Sequence, residues 1–176
     1  MKICHVLSAG YGCGQVVVDL LKAGVAAGHD MTLVYTPLRV EPRLAAVFEG
    51  MRDRVRVHLL PMTGEIGVSD LSCFWSLYRL LRREGPFDVI HSHASKAGAL
   101  ARLAGLLLPR AVQIYTPQGF STMSAGSSRA YGWIEFMLSV IGTRIICVSF
   151  HEKSHGRELG IADNKLPPPA TIPYRR

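Results

Sequence analysis

Residues 1–28 read MKICHVLSAGYGCGQVVVDLLKAGVAAG, and the order of events in them decides the fold class. A short apolar run, KICHVLS (2–8), breaks at alternate glycines, Gly10, Gly12 and Gly14. Apolar residues then recur at helical spacing from Gln15 to Ala27 and stop at Gly28, a residue suited to a left-handed helix end. Strand, glycine turn and helix in succession are the opening of a parallel α/β unit. The same alternation continues along the chain. Further strands are predicted over MTLVY (31–35), VRVHLL (55–60), FDVIHS (87–92), AVQIYT (111–116) and RIICVS (144–149). Helices are predicted from Pro42, over 69–85 with Ser69 or Asp70 as cap, over 95–108, over 127–142, and from Phe150 to Leu159. Six strands with helical crossovers imply a doubly wound parallel sheet with helices on both faces.

Composition narrows the class. The 176 residues suffice for one domain with its own core, and a 48% hydrophobic content argues against disorder. Cys4, Cys13, Cys73 and Cys147 lie far apart without paired or zinc-type spacing, so neither a disulfide framework nor a structural zinc site is expected, and a reducing cytoplasm fits better. No segment reaches the roughly 18 to 20 uninterrupted apolar residues of a membrane span. The net charge of +7 favours anionic partners. Nucleic acid is not expected, because basic and aromatic residues are not interleaved on one face. After Ile161 the prolines of ADNKLPPPATIPYRR and its lack of periodicity predict a linker or tail over 162–176, leaving 1–161 as the domain.

The candidate ligand site follows from the fold. Open α/β sheets bind ligands outside the carboxyl ends of their strands. Gly12, Cys13 and Gly14 follow the first strand, where a glycine loop at a helix start suits a phosphate or merely makes a tight turn. The dinucleotide pattern G-x-G-x-x-G is not met, nor is the phosphate loop G-x-x-x-x-G-K-[ST], and this disfavours a nicotinamide-dependent oxidoreductase. HSHASK places His91 and His93 on one side of a strand, with His91 packed and His93 at the cleft. A metal pair would need a third ligand, which spacing does not show, so no metal is expected. Lys96 either neutralises an anion or is solvated. YTPQGF (115–120) ends a buried strand with Thr116, Gln118 and Gly119 on a Pro-Gly turn. Ser149 and Glu152 have capping-box spacing, and that structural role suffices for them. A lowered thiol pKa for Cys13, at a helix start, is weighed against a simple lining role.

Taken together, MKICHVLSAGYGCGQVVVDL, FDVIHSHASKAGALARLAG, YTPQGF and RIICVSFHEK resemble the N-terminal domain of GT-B glycosyltransferases of family 4, over nearly the whole chain. The resemblance implies a Rossmann-like domain that binds the acceptor, facing a second domain that holds a nucleotide-diphosphate sugar as donor substrate, with no further cofactor. It places Gly12, Cys13 and Gly14 near the donor diphosphate and acceptor. The family's histidine beside the transferred sugar falls on Gln118, which cannot titrate near neutral pH. Gln118 and His93 are the residues assigned to catalysis. Lys96, Thr116, Gly119, Ser149 and Glu152 join the glycine loop in binding substrate. The implied partners are a sugar or lipid-linked acceptor and a C-terminal domain or partner chain that the 176 residues do not contain. Without that half, the chain is expected to be inactive or nearly so. The alternative is a non-catalytic subunit that recruits an acceptor or a catalytic partner. The aromatic and basic stretch FWSLYRLLRRE (74–84) is either an ordinary amphipathic helix with its basic face in water or a peripheral contact with the inner membrane face, and an uncovered apolar cleft is compatible with a homodimer.

Overall fold

The computed structural model describes residues 1–64, 66–123, 129–141 and 144–169. The strands are β1 (Lys2–Leu7), β2 (Asp30–Tyr35), β3 (Val55–Leu59), β4 (Val89–His93), β5 (Val112–Thr116) and β6 (Arg144–Ile145). The helices are α1 (Tyr11–Ala26), α2 (Pro42–Glu49), α3 (Ser69–Glu84), α4 (Ser95–Leu106), α5 (Arg129–Val140) and α6 (Phe150–Glu158). All five strand pairings are parallel, in the order β3-β2-β1-β4-β5-β6. The expected doubly wound sheet is therefore present, and its direction of winding reverses between β1 and β4.

Strand alternation distributes the core to both faces. Cys4 and Val6 of β1 pack with Leu77 and Leu81 of α3 and Ala97, Leu100 and Ala101 of α4. Leu7, the next residue along, packs on the other face with Val17 and Leu21 of α1 and Phe48 of α2. The third cluster joins Tyr115 of β5 to Phe120, Ile145, Ile161 and Leu166.

Several local expectations shift. The first helix begins at Tyr11, so Gly12, Cys13 and Gly14 lie in its first turn rather than in a loop. Gly28 does take the left-handed conformation, φ +73°, expected of a helix end. The cap of α3 is Val68, without a side-chain bond, not Ser69 or Asp70. Strand β6 is two residues long instead of six: Ile146 N still donates to Tyr115 O of β5 at 2.8 Å, but Val148 N donates to Glu152 Oε2 at 2.6 Å. Leu166, within the expected tail, is fully buried, so the chain is anchored past Ile161. Ser127, Ser128 and Gly142 of the helix predicted over 127–142, and residues 170–176, lie outside the described residues.

Candidate functional site

At the carboxyl ends of β1, β4 and β5 the loops diverge around a cleft of about 770 Å³. Ala9, Ala94 and Gln118 mark the three strand ends on its floor, and Ile66, Leu103, Trp133 and Met137 give it an apolar wall. Arg39 and Lys96 bring positive charge to it.

The β5 end is the most constrained part. Pro117 is buried, and the chain then passes through two residues with positive φ, Gln118 at +53° and Gly119 at +93°. Glycine adopts that region freely, whereas glutamine does so at a cost of about 1 kcal/mol. Such strain persists only where surrounding contacts impose it. The contact here is Glu152. It is 1% exposed, and its Oε1 accepts from Gly119 N at 2.5 Å while Oε2 accepts from Val148 N. Ser149 Oγ in turn accepts from Glu152 N at 3.1 Å, capping α6. Half of the expected capping box thus forms; the glutamate turns away from the helix start to hold the Gln118–Gly119 turn. Ser149 and Glu152 therefore support the site from behind. Gln118 itself is half-buried on the cleft, and its Nε2 is buried without a hydrogen-bond partner.

The β4 end differs from expectation. His93 is fully buried and does not reach the cleft: its Nε2 lies 3.0 Å from His5 Nδ1, one donating to the other. The strand ends one residue later than predicted, so His93 is still inside the sheet and Ala94 makes the turn, with φ +67°. Thr116 is also turned inward, its Oγ1 2.8 Å from Nε2 of His91. His5, His91 and His93 form a buried cluster in which burial, first of all, lowers every pKa, to about 4 for His5 and about 3 for His91, and well below the ordinary value for His93. All three are neutral at pH 7. The third imidazole, absent from the spacing argument, comes from β1 through the register of the sheet.

Helix α4 starts at the cleft. It has no side-chain cap of its own, but Ser8 at the end of β1 accepts from Ala97 N at 2.9 Å. Lys96 lines the cleft but is not solvated; its Nζ lies 2.6 Å from both carboxylate oxygens of Asp70. Behind α4, the buried Arg102 donates to Glu135 Oε2 at 2.7 Å and sits over the ring of Tyr115, whose hydroxyl donates to Glu135 Oε1 at 2.8 Å. This fixes α5, and with it Trp133 and Met137, against the sheet.

The β1 end divides the glycine motif. A side chain on Gly12 would meet nothing within 4 Å, whereas one on Gly14 would lie 2.0 Å from Leu44 Cδ2 of α2. Gly12 is exposed and open to a ligand; a side chain at Gly14 would have to displace the end of Leu44. Cys13 is half-buried against the α1–α2 core, and burial pushes its thiol up to about 12, opposite to the lowering considered from its position at a helix start. Arg39, Asp70 and Trp133 line the cleft, and Ser8 bonds to the start of α4, without a sequence signal for these roles. Arg39 and Trp133 sit in stretches without a motif, and only their convergence marks them.

The family model of the glycosyl transferase 4-like domain matches residues 11–168. The chain is 34% identical over 89 residues to an Escherichia coli protein, UDP-Gal:alpha-D-GlcNAc-diphosphoundecaprenol alpha-1,3-galactosyltransferase, covering 49% of this chain and 23% of that protein. Among solved structures, Anabaena HepE in complex with UDP superposes with a TM-score of 0.70 at 14% identity, over 94% of this chain and 43% of its own. A UDP-GlcNAc 2-epimerase from Methanocaldococcus jannaschii gives 0.66 at 14% identity over 94% and 44%. MurG of Acinetobacter baumannii gives 0.57 at 16% identity over 85% and 42%. At these identities the likeness is one of fold. The chain spans about a quarter of the curated relative's length and less than half of each of these structures.

Proposed function

Because the chain belongs to the glycosyl transferase 4-like domain family, we propose that it is the acceptor-binding half of a nucleotide-sugar-dependent glycosyltransferase in envelope or exopolysaccharide assembly. The observation that carries this reading is Gln118: a strained residue on the cleft with an amide donor that nothing among the described residues satisfies. A donor left buried and unpaired costs about 1–3 kcal/mol, which a ligand acceptor atom would recover. Gln118 donates to an acceptor sugar oxygen and orients the sugar; an amide holds its charge state and moves no proton. Gly12 leaves room for close backbone approach.

The walls suggest what the sugar is attached to. An apolar lining of Ile66, Leu103, Trp133 and Met137 together with cationic Arg39 fits an amphiphile with an apolar chain and an anionic phosphate. The E. coli relative's own name includes a diphosphoundecaprenol-linked sugar, and an acceptor of that class matches this distribution. Leu71, Trp75, Arg79, Arg82 and Arg83, all exposed along α3, would seat the domain at an anionic membrane surface on the cytoplasmic side. Phe74 and Tyr78, included in that expectation, instead pack against the core. No helix among the described residues is long and apolar enough to cross a membrane. The donor nucleotide sugar is assigned to a facing domain or partner chain, without which transfer is absent or nearly so.

Calorimetric titration of this chain with a soluble GlcNAc-diphosphate-lipid analogue tests the reading. Saturable 1:1 binding is expected, weakened about tenfold by Gln118→Ala, the equivalent of one hydrogen bond of about 1.4 kcal/mol. Stoichiometric binding of a UDP-sugar, with no affinity for the acceptor analogue, would overturn the acceptor-half assignment.

A further inference from the structure

Three imidazoles from two strands meet beneath the cleft floor. His5 and His91 are register partners on adjacent parallel strands, and His93, two residues on, shares their face of the sheet. One ring nitrogen from each lies within 4.8 Å of those of the other two. The rings of His91 and His93 are 4.0 Å apart at their centroids, and His5 is 5.2 and 5.3 Å from them. All three are at least nine-tenths buried, at 4, 8 and 0% exposure. The cluster contains no carboxylate or thiolate.

Two hydrogen bonds account for only part of its polar capacity. His5 Nδ1 pairs with His93 Nε2, and His91 Nε2 pairs with Thr116 Oγ1. His93 Nδ1 is buried with no partner. Three neutral imidazoles whose ring nitrogens converge within 4.8 Å form a donor set that one electron-pair acceptor can share.

We propose that His5, His91 and His93 bind one divalent first-row transition ion, best fitted by zinc, that ties the ends of β1 and β4 together. Neutral imidazole is the ligating form of histidine and suits zinc, copper and nickel, whereas calcium and magnesium require oxygen ligands. Tetrahedral zinc with bonds of about 2.0–2.1 Å sets its ligand nitrogens about 3.3 Å apart. The 3.0 Å between His5 Nδ1 and His93 Nε2 widens slightly to reach that spacing, and the other ligand nitrogens, within 4.8 Å of one another, draw together. The proton between those two nitrogens moves to the outer nitrogen of its own ring on ligation, so each imidazole stays neutral. Among the described residues the cluster supplies three ligands. Thr116, hydrogen-bonded to His91, orients that ring, as groups behind metal-bound histidines commonly do. The ion is structural: it lies one residue below Ala94, where β4 turns into α4, and is separate from the acceptor site proposed above.

The chain stripped with a chelator and dialysed against zinc chloride at micromolar free zinc should retain one equivalent. X-ray absorption at the zinc edge should show three imidazole nitrogens at about 2.0–2.1 Å. Cobalt(II) in place of zinc should give the visible bands of a tetrahedral site. His5→Gln and His93→Gln should each lower zinc affinity by about tenfold or more, a loss of the size seen when metal ligation is disturbed. His151→Gln combined with His155→Gln should not. Because a core variant can fail to fold for unrelated reasons, the wild-type spectra decide the matter. A folded wild-type chain that keeps less than about 0.1 equivalents would overturn the proposal. So would sulfur or carboxylate ligation in the spectrum, or binding abolished by the His151 and His155 changes instead.

Discussion

At Gln118 and Glu152, two residues divide the work of one site. Gln118 presents an unpaired amide from a backbone conformation it does not favour, and Glu152 supplies the bonds that keep it there. Gln118→Gly should therefore raise stability, by up to about 1 kcal/mol in urea denaturation, by removing left-handed strain. The same variant should lose acceptor affinity, which separates strain held for binding from strain held for folding. Replacing the supporting residue has the opposite character. Glu152→Ala removes the acceptor of the Gly119 and Val148 N–H groups and should cost about 1–3 kcal/mol, whereas Glu152→Gln keeps one acceptor oxygen and should recover part of that loss. Chemical denaturation of the two variants side by side measures the difference.

Helix α1 shows how far a glycine pattern can be read. Gly10, Gly12 and Gly14 look alike in the sequence, but the helix start at Tyr11 gives them different neighbours. A side chain on Gly10 would meet Glu41 Oε2 at 2.3 Å and Arg39 O at 2.8 Å, and one on Gly14 would meet Leu44, so both positions are closed by α2 and the loop before it. Only Gly12 is open. Gly12→Ala should leave the fold intact or stabilise it by up to about 1 kcal/mol through helix propensity. Gly14→Ala should destabilise it by about 1–3 kcal/mol through overpacking between α1 and α2. Thermal unfolding of both variants, with acceptor titration of the first, shows whether the open position serves a ligand.

Across the whole molecule, the buried histidines link stability to pH. Their folded pKa values lie below the ordinary 6.5, near 4 for His5 and near 3 for His91, because burial disfavours the charged ring. The unfolded chain therefore takes up protons first as pH falls. Stability is fully present above about pH 6.5 and is lost on acidification towards pH 3–4, by about 1.4 kcal/mol per pH unit for each such histidine. Denaturation of the chelator-treated chain between pH 7.5 and 4.5 should show this slope, and His5→Gln should make it shallower. This dependence was not visible in the sequence. The strand and helix periodicities determined the layered parallel sheet, because burial on both faces of strands and on one face of helices writes itself into local spacing. The Gln118–Gly119 turn was legible for the same reason, since proline and glycine act on their own neighbours. The convergence of His5 with His91 and His93, the inward turn of His93 and Thr116, the pairing of Lys96 with Asp70 and the reach of Glu152 to Gly119 were decided only by the tertiary structure. Each depends on the register and crossover that bring residues from distant parts of the chain within a few ångströms, and no local pattern encodes that distance.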